Sequence, residues 1–332
     1  IKGVDIKHFL SEEEMIANEI ALISPEINIF YNSAATNLPT NKLDLDSIFS
    51  KIDPSISIKK VNLSNANLKI FDTQQDSLNT FGLSGFSFIM KDLMINSSTI
   101  MQPLKFTYSS FTCGGGDTQF HINEDYSLKI NDFNYKSEDK QLLFEDVVVQ
   151  HILTKEEFKK ENPDDTPFYD ISFNKLNINL SIGDLLLNND IELKHVIIEQ
   201  LNLFIYQSKL KNIRPKKVKP LLASLIKKIN SVIYIGQIDL KACDITYEYE
   251  EKSMDGKVLK LSFDNSDITI KNLTNHPTYL EKNHTMEIIA TSYFLNKGLV
   301  NISSSFDLTS EIDQFHIKGR LNKMDIKETN QL

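Results

Sequence analysis

The chain has 332 residues, of which 41% are hydrophobic and 24% are charged, and its formal net charge at pH 7 is −9. This composition is typical of a folded protein and excludes a disordered chain. The acidic balance argues against a surface that binds nucleic acid through its phosphates. Two cysteines are too few for a disulfide framework. No run reaches the roughly 18 apolar residues of a membrane span. Because the sequence opens on Ile1, we interpret it as a fragment of a longer protein.

Apolar and polar residues alternate along most of the chain, which predicts roughly sixteen strands. In chain order, the pattern predicts a helix at about 41–53, strands at about 55–96, and two strands around the turn at 123–125. A short helical turn follows near 154–161, then strands within 170–206, a helix at about 216–230 and strands at about 232–273. Asn296-Lys297-Gly298 is a hairpin signal between two last strands.

One segment of the sequence occurs twice. ISIKKVNLSNANLKIFD at 56–72 matches IYIGQIDLKACDITYEY at 233–249, at an interval of 177 residues. The same interval relates the apolar stripes of the two predicted helices, which are Leu45, Ile48, Phe49 and Ile52 in the first copy and Leu222, Leu225, Ile226 and Ile229 in the second. The repetition predicts two modules, 1–154 and 168–332. Such a duplication favours an extended surface over a single catalytic pocket.

The predicted fold class is mainly β. Alternation with one apolar and one polar face is typical of antiparallel sheets, and so many strands cannot form one flat sheet. We therefore expect a long, curled antiparallel sheet with an apolar interior and two short amphipathic helices. Where the alternation slips, as between Ile58 and Val61 and near Glu199, we expect a β-bulge or a bend.

The sequence contains no recognisable catalytic or metal-binding motif. Its seven histidines show no ligand spacing, and Gly114-Gly115-Gly116 lies between strand patterns, whereas a phosphate loop precedes a helix. The basic segment 209–219 has no basic counterpart in the first copy, which favours a solvated loop over an anion site. We therefore predict a protein that is not an enzyme, with no cofactor, no metal and no nucleic acid partner.

Three segments resemble the AsmA-like family of bacterial envelope proteins. They are the repeated strand segment, the strand SPEINIFY at 24–31, and the closing segment from Phe306, in which Phe315, Ile317, Gly319, Leu321, Met324, Asp325 and Asn330 fit the family pattern. The resemblance implies a taco-shaped sheet related to bridge-like lipid transfer proteins. It also implies a periplasmic location in a Gram-negative bacterium, as part of a parent protein anchored in the inner membrane outside this fragment, with phospholipid passing towards the outer membrane.

Two functional hypotheses follow for the apolar face. In the first, it is a non-catalytic groove for phospholipid or another acyl lipid. The candidate lining residues are Ile56, Ile58, Leu68, Ile70, Ile178, Leu180, Ile233, Ile235, Ile245 and Tyr247. In the second, the chain is a structural or adhesive β-sandwich repeat whose apolar face is fully self-packed and binds no ligand. Periodicity alone does not separate a filled interior from a lipid-filled one.

Overall fold

The computed structural model describes residues 1–3, 14–31, 55–72, 79–100, 104–161, 166–182, 190–209, 221–251, 257–310, 312, 314–322 and 324–325. Of these residues, 70% lie in strands and 9% in helices. The predicted mainly β fold class is confirmed, because helix stays far below the third of residues that is typical of globular proteins.

The described part contains fifteen strands and four short helices. The strands are β1 (Glu14–Ile23), β2 (Glu26–Tyr31), β3 (Ser55–Asp72), β4 (Asn79–Ile95), β5 (Ser110–His121), β6 (Tyr126–Lys136), β7 (Gln141–His151), β8 (Phe168–Asn179), β9 (Ile191–Glu199), β10 (Asn202–Lys209), β11 (Ile233–Glu251), β12 (Val258–Thr274), β13 (Thr285–Phe294), β14 (Gly298–Asp307) and β15 (Phe315–Leu321). The helices are α1 (Ser97–Ile100), α2 (Lys155–Glu161), α3 (Leu222–Lys227) and α4 (Pro277–Lys282).

The chain divides into two compact units. The first comprises 1–121, 129–144 and 180–188, and the second comprises 122–128, 145–179 and 189–332. In the first unit, β3 pairs with β1 and β2 on one side and with β4 on the other, and β4 pairs with β5. In the second unit, β11 pairs with β9 and β10 on one side and with β12 on the other. Strands β12 to β15 then follow in sequence order, and β8 pairs with β9 and β10.

The sheet is mixed, which corrects the prediction of an antiparallel sheet. Strands β1 and β2 run parallel to β3, and β9 and β10 run parallel to β11. The physical reason is the long connection from β2 to β3 and from β10 to β11: a parallel neighbour needs a crossover of a dozen or more residues, often with a helix. In the second unit, α3 lies in that crossover.

The two copies share one pattern of strand pairing. Ile58 lies opposite Leu93 on β4, and Ile235, which follows Ile58 by the repeat interval, lies opposite Leu273 on β12. The parallel neighbours repeat as well, because Ala17 lies opposite Ile58 and Leu193 lies opposite Ile235. The repeated sequence therefore folds into a repeated five-strand unit, with β1–β5 matching β9–β13. The boundaries 1–154 and 168–332 stay a prediction.

Paired bulges interrupt the ladder between the long central strands in both copies. The register shifts between Leu63 and Ala66 and again between Ala66 and Leu68, and Asn65 and Gly85 at these shifts have φ values of 52° and 65°. The second copy shifts between Leu240, Cys243 and Ile245, where Ala242 and Asn265 have φ values of 51° and 46°. In each copy, the first shift adds one residue to the central strand and the second adds one residue to its antiparallel neighbour. The apolar residues on both sides of the bulges therefore keep the same face.

The two slips predicted from the sequence are not these bulges. Pairing continues without a shift from Ile58 to Val61, so the slip there is not a bulge; it coincides with Asp92, opposite on β4, whose φ is 53°. The slip near Glu199 is the break between β9 and β10, where Gln200 has a φ of 56°.

The predicted helices are only partly observed. The helix predicted at 41–53 lies outside the described residues. The helix predicted at 216–230 is the shorter α3, and the chain turns from Lys228 onwards. The short turn predicted near 154–161 is confirmed as α2, and the hairpin predicted around Asn296 is confirmed as β13 and β14.

Candidate functional site: the apolar sheet face

Apolar residues form rows across the strands of the second unit. Residues directly opposite one another in a ladder share a face of the sheet. One row comprises Ile178, Val196, Ile238, Ile270 and Ile288, from β8 to β13. The next comprises Leu176, Ile198, Leu240, Ile268, Ala290 and Ile302, from β8 to β14. Beyond the bulges a third comprises Ile171, Leu203, Ile245, Phe263 and Phe294. In each unit, we call the surface formed by these rows or by their counterparts the apolar face of that unit.

The first unit carries the same rows with fewer strands. The counterpart of the first row is Ile20, Val61, Met90 and Phe111, and that of the second is Leu22, Leu63, Phe88 and Cys113. Beyond the bulges, Ile27, Leu68 and Leu83 are opposed. An apolar face is therefore present in both copies of the repeat.

In the second unit, α3 covers one end of the apolar face. Its residues Ala223 and Ile226 are buried in a cluster with Met286 and Leu308. Leu273, which lies opposite Ile235, packs against that cluster, as do Ile270 and Ile288 of the first apolar row. The helix therefore partly covers these side chains from solvent. This contact places Leu273 and Ile270 on one face although they are three residues apart, across Asn272 with its φ of 59°.

In the first unit, the connection that follows α1 lies on the corresponding cluster. Met90, Phe111 and Tyr135 are buried together there, and Phe106 and Tyr108 pack against them. The Tyr108 and Phe111 rings are in edge contact, with their centroids 5.3 Å apart. Leu93 and Phe88 belong to the same cluster, which confirms that the apolar rows on the two sides of Asp92 share a face.

Beyond the bulges, the apolar face is only half-buried. Leu68 in the first unit and Ile245, Leu203 and Phe263 in the second are all in the intermediate range of exposure. None of the three buried clusters of the described residues contains them. The described residues therefore leave this part of the face open to solvent on one side.

The ten predicted lining residues fall into three groups. Ile58 and Ile233 are buried, at 5% and 8% exposure. Seven others are half-buried on β3, β8 and β11, namely Ile56, Leu68, Ile70, Ile178, Ile235, Ile245 and Tyr247. Leu180 lies just past the end of β8; its N–H donates to the Lys140 carbonyl and its own carbonyl accepts from the Tyr135 hydroxyl. It belongs to the first unit, whereas Ile178 belongs to the second, where it lies in the first apolar row.

The opposite face of the sheet is polar. In the second unit the Asp239 carboxylate accepts hydrogen bonds from Thr269 Oγ1 at 2.9 Å and Gln237 Nε2 at 2.9 Å, and it contacts His195 Nε2 at 2.7 Å. Desolvation raises the pKa of Asp239, but the hydrogen bonds outweigh it and hold the pKa below its usual value. These side chains lie between Ile238 and Leu240 in the ladder but on the other side, which leaves the apolar rows without charge.

Helix α2 packs on this second face. Its Phe158 is buried with Phe168 and Tyr206. Lys159 Nζ lies 2.7 Å from a carboxylate oxygen of Glu250, which is 4% exposed, and the Tyr206 hydroxyl donates to the same carboxylate at 3.0 Å. Burial and the hydrogen bond to Glu250 raise the pKa of Tyr206 to about 12. The helix is held by an ion pair of which only the carboxylate is buried, and α2 lies on the face opposite the apolar rows.

Sequence reasoning missed the parallel strands that widen the apolar face. Ile20, Leu22 and Ile27 were not singled out, although their counterparts Val196, Ile198 and Leu203 follow them by a constant 176 residues. The signal was therefore present as a second interval, one residue shorter than that of β3 and β11. The rows at Val61 and Leu63 were visible in the repeated segment itself.

Among the described residues, no three His, Cys, Asp or Glu side chains lie together in a way that could hold a metal ion. In that same part of the chain, no helix has the length and apolar character needed to cross a membrane. No family model, curated protein or solved structure matches the chain.

Proposed function

We propose that the chain is a non-catalytic segment of an AsmA-like envelope protein whose apolar face binds the acyl chains of phospholipid. The observation that carries the proposal is the set of uncharged rows that cross five or six strands of the second unit and stay half-buried beyond the bulges. Each buried CH₂ of an acyl chain contributes about 0.8 kcal/mol. A face without strong variation in polarity lets a chain move along it at little cost, while the head group stays in water.

In the cell, this segment would lie in the periplasm of a Gram-negative bacterium and help phospholipid pass between the inner and outer membranes. The resemblance of the repeated strands and of the closing segment to the AsmA-like family supports this setting.

The alternative is a structural or adhesive β-sandwich repeat whose apolar face packs on itself. The clusters around Ala223 and around Met90 favour this reading for one end of each unit, since both are closed by the chain's own residues. The half-buried rows at Leu68 and Ile245 favour the groove. A charge placed at these two positions therefore distinguishes the two functions.

The test compares Ile245→Asp with Thr246→Asp. Ile245 lies on the apolar face and Thr246, the next residue, points to the polar face, so the control has the same strand and the same charge. Each variant is incubated with vesicles of a phospholipid that carries a photoreactive diazirine in its acyl chain, and crosslinked lipid is measured beside the melting temperature. Leu68→Asp and Lys69→Asp provide the same pair in the first unit.

A groove predicts that Ile245→Asp loses at least five-fold in crosslinked lipid with little change in melting, because the new carboxylate reaches water. Thr246→Asp should keep both. A self-packed sandwich predicts no crosslinked lipid on the unmodified protein. It also predicts collapse of folding in Ile245→Asp, because an unpaired buried charge costs several kcal/mol. Ile58→Asp serves as the unfolding reference, since Ile58 is buried in either case.

A further inference from the structure

The outer edge of β2 has a counterpart in the second unit that is occupied. Strand β10, which corresponds to β2, pairs with β11 on one side and with β8 on the other. There, Tyr169 lies opposite Ile205 and Ile171 lies opposite Leu203, in an antiparallel ladder. Strand β2 pairs with β3, and among the described residues it has no second strand on its other side.

The exposure of the side chains reflects this difference. Phe30 is 67% exposed, whereas its counterpart Tyr206 is 0% exposed, buried by Phe168 of β8 together with Phe158 of α2. Ile27 and Ile29 are 38% and 45% exposed, whereas their counterparts on β10 are half-buried. A sheet edge with apolar side chains and unpaired amides is a template for another strand, and natural edges usually carry charge or proline to prevent it.

The first residues of the chain lie on the same outer edge of the sheet, beside β1. Lys2 forms an isolated antiparallel bridge with Glu19 of β1, with the Lys2 N–H donating to the Glu19 carbonyl at 2.8 Å. In the second unit, the end of β8 occupies the corresponding place beside β9, and its beginning lies beside β10. The chain at Lys2 thus runs antiparallel to β1, as β8 does to β9. Among the described residues, no strand pairs with the outer edge of β2.

We propose that the β2 edge binds an extended peptide strand, which adds antiparallel to Glu26–Phe30 in the way that β8 adds to β10. The register of β8 specifies the chemistry of the partner. It should place apolar or aromatic residues opposite Ile27 and Ile29, to continue the apolar face. An aromatic residue belongs opposite Phe30, and small or polar residues opposite Asn28 and Glu26, as Phe168, Asp170 and Ser172 do on β10. This is strand addition, in which main-chain hydrogen bonds give affinity and alternate side chains give specificity.

The probe is a synthetic peptide with the β8 sequence, FYDISFNKLNIN. It does not compete for the lane beside β10, because the chain's own β8 is covalently tethered there at a high effective concentration. In the peptide, Y169C carries an activated disulfide to 2-nitro-5-thiobenzoate at the position that lies opposite Ile205 in the second unit, so a protein thiolate forms the mixed disulfide by displacing nitrothiobenzoate, without a separate oxidant. The full chain carries Ile29→Cys, the matching position on β2.

Native thiols are removed first by Cys113→Ala and Cys243→Ala. These changes are mild, since the other copy has Ala290 and Ala66 at the corresponding positions. Two control proteins carry the cysteine elsewhere in the same background. Asn28→Cys points to the other face of the same edge, and Ile205→Cys lies in the occupied lane. Disulfides form only between closely opposed residues.

The proposal predicts that the Ile29→Cys protein forms the mixed disulfide at least ten-fold faster than either control protein. It also predicts that Ile29→Lys weakens non-covalent binding of the labelled peptide at least five-fold, measured by fluorescence anisotropy. Equal trapping in all three proteins would overturn it. Sedimentation velocity supplies a second refutation: if the chain dimerises in the absence of peptide and Ile29→Lys abolishes the dimer, the edge is occupied by a second copy of the chain.

Discussion

The paired bulges give the sharpest test of the fold, because they require residues with positive φ inside strands. Gly85 and Gly82 both lie on β4, and a Cβ added to either would meet no atom within 4 Å. They differ in backbone conformation: Gly85 has a φ of 65°, whereas Gly82 is outside the left-handed region. Gly85→Ala and Gly82→Ala thus add the same methyl group into open space and differ in backbone strain.

The expected magnitudes follow from the backbone. Holding an alanine in the left-handed region costs roughly 1–2 kcal/mol, and replacing glycine stabilises by about 0.4–1 kcal/mol through the unfolded chain. Gly85→Ala should therefore lower the free energy of unfolding by about 1 kcal/mol, whereas Gly82→Ala should leave it unchanged or raise it slightly. In the second copy, a non-glycine residue already has a positive φ at a bulge, so the opposite substitution, to glycine, can be tested there. Ala242 is exposed with a φ of 51°, and Ala242→Gly should stabilise by about 0.5 kcal/mol.

The assay is urea unfolding followed by far-ultraviolet circular dichroism, because the chain has no tryptophan. With a slope of about 2 kcal/mol per molar urea, Gly85→Ala should move the midpoint down by about 0.5 M. If Gly85→Ala is as stable as Gly82→Ala, and Ala242→Gly does not stabilise, the bulges are absent and the apolar residues on their two sides do not share a face.

Two further predictions concern the contact of α2 with the sheet. Lys159→Met leaves the buried Glu250 carboxylate without its cation and should cost about 2 kcal/mol. This is less than a fully buried pair would cost, because the Lys159 side chain is 35% exposed; Lys160→Met on the exposed side of the same helix should change stability by less than about 0.5 kcal/mol. The raised pKa of Tyr206 means that its neutral form is favoured in the folded state. The resulting stability is complete below pH 10 and is lost as the pH rises towards 12, so Tyr206→Phe should unfold less steeply than the unmodified protein between these values in an alkaline melting series. An identical alkaline profile in both proteins would contradict the buried tyrosine.

The sequence carried enough information to locate most strands but not their directions. The period of two in Ile56, Ile58 or Leu203, Ile205 is a property of each strand by itself, and it is the same in parallel and antiparallel neighbours. Pairing direction depends on the connection, and here a crossover of about two dozen residues reverses the expectation for β1, β2, β9 and β10. The duplication was readable because Ile58 and Ile235 share both a neighbour pattern and a partner register.

The candidate site could be predicted as a face but not as a set of open residues. Alternation identifies which side chains share a side of the sheet, and it placed Leu68 and Ile245 correctly on the strands. Whether such a side chain is covered depends on distant segments, such as α3 over Leu273, and no local pattern encodes that contact. For the same reason, Leu180 was predicted as a strand residue, although its main chain bonds to the Lys140 carbonyl, in the turn between β6 and β7, and to the Tyr135 hydroxyl of β6, after β8 has ended.

The bulges also connect the fold with the proposed ligand. A single bulge on one strand would turn the apolar residues beyond it to the polar face, and the rows would end there. Asn65 with Gly85, and Ala242 with Asn265, instead insert one residue on each of two neighbouring strands. Small buried residues, Ala66 in one copy and Cys243 with Ser266 in the other, lie between the two insertions. The apolar rows consequently continue across the irregular region, and an acyl chain longer than a few CH₂ groups could follow them from the helix-covered end to the half-buried end without meeting a charge.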